Sequence, residues 1–287
     1  MAEIPQQEFT MHKTKGIIAL DLDGTLLNSN KELTPGNLAA LKRAAEAGYA
    51  IVPTTGRFYK AMPEAIRALP FIRYVIIING AAIMDLETGE LIYQAEIPCE
   101  QAVEIMTMLD EQPVIYDCYM DNDAWMTGAF KEKVTEFVKN PHYVVLVRDM
   151  RNSVPELKTF LRERGQDVQK MQFFVKDPDL RLRMIKELPE RYENICTSSS
   201  VPENVEINQA RANKGEAVLA LAAHLGVPKE NTYAFGDGLN DLTMIEMAGV
   251  GIAMANAEEK VKASADWITT SCDEDGVARG IEKIMKR

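Results

Sequence analysis

Ile17-Ile18-Ala19-Leu20-Asp21-Leu22-Asp23-Gly24-Thr25 is the stretch around which the rest of the chain can be ordered. Four apolar residues run directly into two carboxylates, and Gly24 then breaks the run. An apolar stretch without polar alternation fits a strand buried on both faces, as in a parallel sheet. Residues two apart on a strand point the same way, so Asp21 and Asp23 can aim at one site where the strand ends. That edge is where open α/β sheets bind ligands.

Two carboxylates this close repel, and burying them unpaired is costly. Either a hard cation with oxygen ligands or protonation of one member would relieve the repulsion. Both suit phosphate chemistry, in which one carboxylate attacks phosphorus and the other exchanges protons with the leaving group. The motif alone is equally compatible with a solvated turn at the end of a strand.

The 287 residues allow one large domain or two smaller ones. An apolar content of 46% supports a real core, and a net charge of −11 argues against a nucleic-acid scaffold or an anionic membrane surface. Cys99, Cys118, Cys196 and Cys272 are far apart with no CxxC pair, which argues against a zinc site or disulfide framework and points to a reducing cytoplasm. No apolar stretch approaches a membrane span. Residues 1–15 are polar and read as a loose N-terminal tail, in which Met11 offers an alternative start, rather than a signal peptide.

Thr34-Pro35 predicts a helix start, with the helix running through Leu38, Leu41 and Ala45 to Gly48. Tyr49 to Pro53 reads as a strand ending in Thr54-Thr55-Gly56-Arg57. Phe58 to Leu69 reads as a helix that Pro63 kinks or restarts. Tyr74 to Ile78 is another buried strand, ending in Asn79-Gly80. This alternation predicts an α/β fold with a doubly wound parallel sheet.

The rhythm then changes. Ala82 to Met84 and Glu90 to Gln94 flank a turn at Thr88-Gly89 and read as a hairpin. From residue 85 to 193 the pattern is that of an inserted α+β unit. Its expected strands are Val114 to Tyr119, Ala124 to Thr127, Tyr143 to Val147 and Lys170 to Val175. Its expected helices are Gln101 to Glu111, Phe130 to Lys139, Val154 to Arg164 and Asp179 to Leu188. The α/β rhythm returns from residue 194, with Asn204 to Ile207 as a strand and Lys214 to Leu225 as a helix stopped by Gly226 and Pro228. Strands follow at Thr232 to Phe235, Gly251 to Met254 and Trp267 to Thr269. Helices are expected at Leu242 to Met247, Ala257 to Ala265 and Gly276 to Lys286. The expected organisation is therefore a tail (1–15), a core in two parts (16–84 and 194–287) and an insert (85–193).

Four of these places carry complementary polar groups. The first strand gives Asp21 and Asp23. The second gives Thr55 and Gly56, a hydroxyl and a free amide suited to a phosphate oxygen. A later helix opens on Lys214, a point cation with three donors. The strand before Gly236 gives Asp237, Asn240 and Asp241. Each group alone reads as turn chemistry or a solvated helix residue, but the assembly joins acids for a cation to donors for an anion.

Several other patterns fail. Gly236-x-Gly238 and Gly249-x-Gly251 do not complete GxGxxG, and neither GxxxxGK[ST] nor GxSxG occurs. His12, His142 and His224 do not form a site. Asp121-Asn122-Asp123 begins like a calcium loop, but Trp125 and Met126 spoil the pattern and favour a hairpin turn. The 15 methionines read as core filler.

Taken in order, Asp21-Leu22-Asp23-Gly24-Thr25-Leu26, Thr55-Gly56-Arg57, Asn213-Lys214-Gly215 and Gly236-Asp237-Gly238-Leu239-Asn240-Asp241 resemble the motifs of haloacid dehalogenase superfamily phosphatases. Asn79-Gly80-Ala81 and Ala253-Met254-Ala255-Asn256-Ala257 are similar to the Cof-like branch, which carries an α+β cap inserted after the third core strand. Pro53-Thr54 and the segment Gln209 to Asn213 depart from the usual pattern without removing a functional group.

The resemblance implies that Asp21 is the nucleophile and a Mg²⁺ ligand. It implies that Asp23 is the general acid and base, with its backbone carbonyl on the metal. Thr55, the Gly56 amide, Lys214, Asn240 and the Leu22 amide would hold phosphoryl oxygens. Asp237 would ligate the metal and Asp241 would orient Lys214 or a metal-bound water, with Arg57 and Asn79 in support. Mn²⁺ is an expected substitute for Mg²⁺.

The expected function is a Mg²⁺-dependent phosphatase of small phosphorylated metabolites, sugar phosphates above all. Such an enzyme is expected to be cytoplasmic, a monomer or small homo-oligomer, with no nucleic-acid or membrane partner. A phosphotransferase such as a hexose-phosphate mutase, using the same aspartyl-phosphate, and a non-catalytic binding module are the alternatives. The substrate is expected to be read by the cap, near Tyr119 to Trp125.

Overall fold

A computed structural model describes residues 14–199 and 201–286 of the chain. Most of the expected tail (1–13), with Met11 and His12, lies outside the described residues, as does the side chain of His142. Strand β1 (Gly16–Leu20) is wholly buried. Helix α1 (Pro35–Glu46) follows, and the Thr34 hydroxyl caps it by accepting from the Asn37 amide at 3.2 Å. Strand β2 (Tyr49–Pro53) lies parallel to β1, with Ile18 opposite Ile51. Pro63 divides the expected helix 58–69 into a 3₁₀ turn (Tyr59–Ala61) and a single turn α2 (Glu64–Arg67).

Strand β3 (Tyr74–Ile77) is tied to the end of β2 by a parallel bridge between Thr54 and Ile76. It continues into an antiparallel meander with β4 (Ala82–Asp85) and β5 (Leu91–Gln94). Ala82, Ile83 and Ala95 belong to the apolar cluster of the parallel sheet, while Ile97 belongs to that of the insert. The hairpin therefore stays with the core, and the insert begins near residue 96 rather than at 85.

The insert contains α3 (Cys99–Leu109), β6 (Val114–Met120), β7 (Asp123–Thr127), α4 (Gly128–Glu132), α5 (Val134–Phe137) and α6 (Pro141–Met150). It continues with β8 (Asn152–Val154), α7 (Leu157–Arg164), β9 (Lys170–Val175), α8 (Pro178–Arg191), β10 (Ile195–Ser198) and β11 (Asn204–Gln209). These strands form one sheet in the order β10-β11-β9-β6-β7-β8. Asp121 and Asn122 join β6 to β7 with φ of 54° and 55°, the two-residue turn suited to a hairpin.

Three expectations are corrected here. Tyr143 to Val147 is helical, not a strand. Pro141 opens α6, and Val144 and Val147 bury one face while Val145 is 48% exposed. Its β-branched residues favour strands by propensity, but three-residue spacing against an apolar neighbour decides the matter. The helix expected from Val154 begins instead at Leu157, where the Glu156 carboxylate accepts from the Lys158 and Thr159 amides at 3.1 and 2.7 Å. Finally, β10 and β11 pair antiparallel with each other and with β9, so the insert extends to about residue 209, beyond the expected limit of 193.

The core resumes with α9 (Lys214–Leu225), β12 (Thr232–Gly236), α10 (Leu242–Met247), β13 (Val250–Ala253), α11 (Glu259–Ser264), β14 (Trp267–Ile268) and α12 (Gly276–Ile284). The parallel sheet runs β14-β13-β12-β1-β2. With β12 on one side and β2 on the other, β1 has both edges paired. Helix α1 packs with α12 and α9 with α10, and β1 is buried at every position, so its faces are covered as well. That position explains a strand with no polar residue. The fold is thus the expected doubly wound α/β core with an α+β insert, and no helix among the described residues is long and apolar enough to cross a membrane.

Candidate active site

Lys214, the first residue of α9, has no solvent exposure. Its Nζ donates to Asp21 Oδ1 at 2.6 Å and to Asp241 Oδ1 at 2.5 Å. The other Asp241 oxygen accepts from the Asp237 and Gly238 amides, both at 2.9 Å. Asp241 therefore fixes both the lysine and the loop that carries Asp237. Asp237 Oδ1 accepts from the Thr25 hydroxyl at 2.7 Å. Gly24 has φ +95°, and a Cβ there would lie 2.5 Å from Asp237 Oδ2, so only glycine lets the two loops approach.

One oxygen each of Asp21, Asp237 and Asp241 lie within 4.8 Å of one another. Burial pushes Asp21 up to about 7, reinforced by the Asp241 charge and opposed by Lys214. Burial likewise pushes Asp237 up to about 6, against the Thr25 hydrogen bond. Burial alone would lower the Lys214 ammonium, but its two carboxylate partners outweigh it and hold the proton more firmly. Three carboxylates facing one ammonium leave an excess of negative charge. A set of hard oxygen donors carrying that excess suits a divalent cation such as Mg²⁺.

Asp23 is separate from this triad. Strand β1 ends at Leu20, so the two-residue rule runs out before the pair is reached. The Asp23 carboxylate, with a side chain 32% exposed, is forked by Arg57 Nε and Nη2 at 3.0 and 2.8 Å and contacted by Lys31 Nζ at 3.1 Å. Burial raises its affinity for a proton, but Arg57 and Lys31 hold it below the usual carboxylate range. The two opening acids are thus relieved by separate cations, Lys214 for one and Arg57 with Lys31 for the other. Sequence reasoning had offered only a metal or protonation.

Thr55 is buried, and its hydroxyl accepts from the Arg57 amide at 3.2 Å. Gly56 lies against Asn79, where a Cβ would meet Asn79 Oδ1 at 2.7 Å. Ile78 and Asn79 both take left-handed φ, 53° and 55°, which is strained for a β-branched residue. This kink carries the Asn79 side chain to Asn240 Nδ2 at 3.4 Å and to Glu206 Oε2 at 3.3 Å. Leu22 is fully buried beside Asp21. The ends of β1, β2, β3 and β12 and the start of α9 therefore bring together Asp21, Thr55, Gly56, Asn79, Lys214, Asp237, Asn240 and Asp241.

Sequence reasoning missed Lys31, which carries no motif, and Glu206, which sits in an ordinary strand of the insert. It gave no role to Thr25 or Asn256, although both lie in quoted motifs. Asn256 Nδ2 donates to the Gly24 carbonyl at 2.8 Å and its Oδ1 accepts from the Cys272 amide at 2.9 Å, tying the motif loop down. His224, set aside in the sequence, packs edge-on against Tyr74.

The sequence profile of haloacid dehalogenase-like hydrolases matches residues 18–281. The protein named phosphatase YwpJ of Bacillus subtilis is 31% identical over 94% of this chain and 99% of its own length. Another B. subtilis protein, named 5-amino-6-(5-phospho-D-ribitylamino)uracil phosphatase YcsE, is 30% identical over 92% of this chain and 94% of its own. A solved structure of a haloacid dehalogenase-like hydrolase from B. subtilis superposes with a TM-score of 0.77 at 28% identity, covering 93% of this chain and 99% of that one.

Proposed function

The chain belongs to the haloacid dehalogenase-like hydrolase family and is a phosphatase within it, and from that premise we propose that it hydrolyses phosphomonoesters of small metabolites, sugar phosphates foremost, through an aspartyl-phosphate on Asp21. The observation that carries this reading is the buried Lys214 shared by Asp21 and Asp241 beside Asp237.

In the proposed cycle an Asp21 oxygen bonds to phosphorus as the ester oxygen leaves with a proton from Asp23. Water then attacks phosphorus, gives a proton to the Asp23 carboxylate, and releases phosphate with Asp21 restored. Phosphoryl transfer depends on positioning and charge neutralisation, and the chain's donors fit that need. Lys214, the Thr55 hydroxyl, the Gly56 and Leu22 amides and Asn240 would hold the phosphoryl oxygens. Asp241 keeps Lys214 oriented. Asp23, held ionised by Arg57 and Lys31, is ready for the base half of the cycle. For the acid half it has to leave those contacts and carry a proton.

Asp21, Asp237 and the Asp23 carbonyl would hold Mg²⁺, or Mn²⁺ in its place. The ion, when bound, neutralises charge on the transferring phosphoryl group. The four cysteines are free thiols, which supports a reducing compartment, the cytoplasm.

The test is phosphate release from a panel of phosphorylated metabolites with Mg²⁺ and with EDTA. Release in Mg²⁺ that EDTA stops is expected, and Asp21→Asn should cost on the order of a thousandfold or more in kcat. Phosphate passed to a second sugar instead of water would indicate a mutase. No turnover of any ester would leave only a binding role.

A further inference from the structure

The insert sheet has one face against α3, α7 and α8, lined by Val114, Tyr116, Cys118, Met171 and Phe173. The opposite face is divided. At one end Ile115, Met126 and Phe174 pack under Val144 and Val147 of α6. At the other end the same face carries Asp117 and Tyr119 of β6, Lys170 of β9 and Glu206 of β11, all nearly inaccessible. Lys170 Nζ donates to Glu206 Oε1 at 3.1 Å and sits 4.4 Å from the centre of the Tyr119 ring. Arg151 Nε donates to Asp117 Oδ2 at 3.0 Å, and its Nη2 to the Tyr119 hydroxyl at 2.8 Å.

This charged end is the one that meets the core. Tyr119 packs edge-on against Phe58, next to Arg57, with ring centres 5.5 Å apart. Glu206 Oε2 accepts from Asn79, the side chain that also holds Asn240. Two buried ion pairs are no better for stability than packed apolar residues of similar volume, and the far end of the same face is apolar. Stability alone therefore does not account for charge at the near end. In addition, Asp117 Oδ1, Arg151 Nη1 and Gln169 Nε2 are among the few buried polar atoms of the described residues with no hydrogen-bond partner. The first two belong to this layer, which therefore has unused hydrogen-bonding capacity.

Building on the phosphatase reading, we propose that the Lys170–Glu206 pair, backed by Tyr119, determines specificity by receiving the leaving group, and that it takes an uncharged, hydroxyl-rich one. The ammonium donates and the carboxylate accepts, and neighbouring hydroxyls of a polyol do both. Lys170 and Arg151 are balanced by Glu206 and Asp117, so the layer offers no surplus positive charge to a second phosphate or a carboxylate, and Glu206 repels either. A site that pairs with substrate hydroxyls discriminates strongly against esters lacking them, because its own buried groups are then left unpaired.

The experiment compares kcat/KM of the full-length protein for ribitol 5-phosphate and glucose 6-phosphate with that for p-nitrophenyl phosphate, whose leaving group has no alcohol hydroxyl. It includes fructose 1,6-bisphosphate and 3-phosphoglycerate as doubly anionic esters. Glu206→Gln is expected to lower kcat/KM for the better polyol ester on the order of tenfold further than for p-nitrophenyl phosphate. Lys170→Gln should do the same. If either single variant fails to fold by circular dichroism, the double variant Lys170→Gln/Glu206→Gln, which leaves no lone buried charge, carries the comparison. Equal losses on both kinds of leaving group, no loss at all, or a wild-type preference for the doubly anionic esters would overturn the proposal while leaving the phosphatase reading intact. Failure of the wild-type protein to release phosphate from every ester, p-nitrophenyl phosphate included, removes the phosphatase reading and this inference with it.

Discussion

Lys214 is held in place by what it neutralises. With no exposed surface and two carboxylates at 2.5 and 2.6 Å, it cannot be removed without leaving buried charge behind. Lys214→Met is expected to lower unfolding free energy by about 3–5 kcal/mol in urea titration, besides abolishing turnover. Asp85 supplies a pH test away from the site. Burial would raise its carboxyl, but the Arg73 guanidinium at 2.8 Å and the Glu87 and Thr88 amides hold it below the usual range. A carboxyl lowered by folding stabilises the protein above its unfolded value of about 3.9, and that contribution is lost as pH falls through the lower folded value. Asp85→Asn should therefore reduce stability at neutral pH and flatten part of the acid decline below about pH 4 in thermal melts. Most individual side chains brought together here could be named from the sequence, since motifs preserve residue type and order. Lys31 and Glu206 could not, because their parts follow from where a loop and an insert strand come to rest.

At the level of elements, boundaries set by local chemistry were readable and partnerships were not. Thr34-Pro35 fixed the start of α1, and Asn213 and Gly226 bracket α9, whose Lys214–Leu225 span matches the expected one. The Asn213 side chain accepts from the Glu216 amide at 2.9 Å. Asn213→Ala should cost about 1 kcal/mol in thermal unfolding and lower kcat as well, because the lysine it steadies is the next residue. By contrast, Asn204–Gln209 reads as a strand whichever sheet it joins. Its pairing with β9 rests on contacts between residues some thirty positions apart, which no short pattern encodes. Helix α6 departs from the expected strand for a related reason: its valines suit a strand until a neighbouring apolar surface selects a three-residue spacing.

For the molecule as a whole, the surplus of carboxylates ties stability to the cation it would bind. Mg²⁺ at about a hundred times its dissociation constant should add ~2.7 kcal/mol to unfolding free energy relative to EDTA. The gain should be read as a rise in melting temperature that Asp237→Asn diminishes. The core sheet is also assembled from distant parts of the chain: β1 lies between β2, which follows it closely, and β12, which comes more than two hundred residues later. During synthesis the second edge of β1 must wait until the chain has emerged from the ribosome as far as Gly236. Until then an oily, unsatisfied backbone edge stands open to any passing chain. A nascent chain ending before Gly236 carries Asp21 without the neighbours that make it useful.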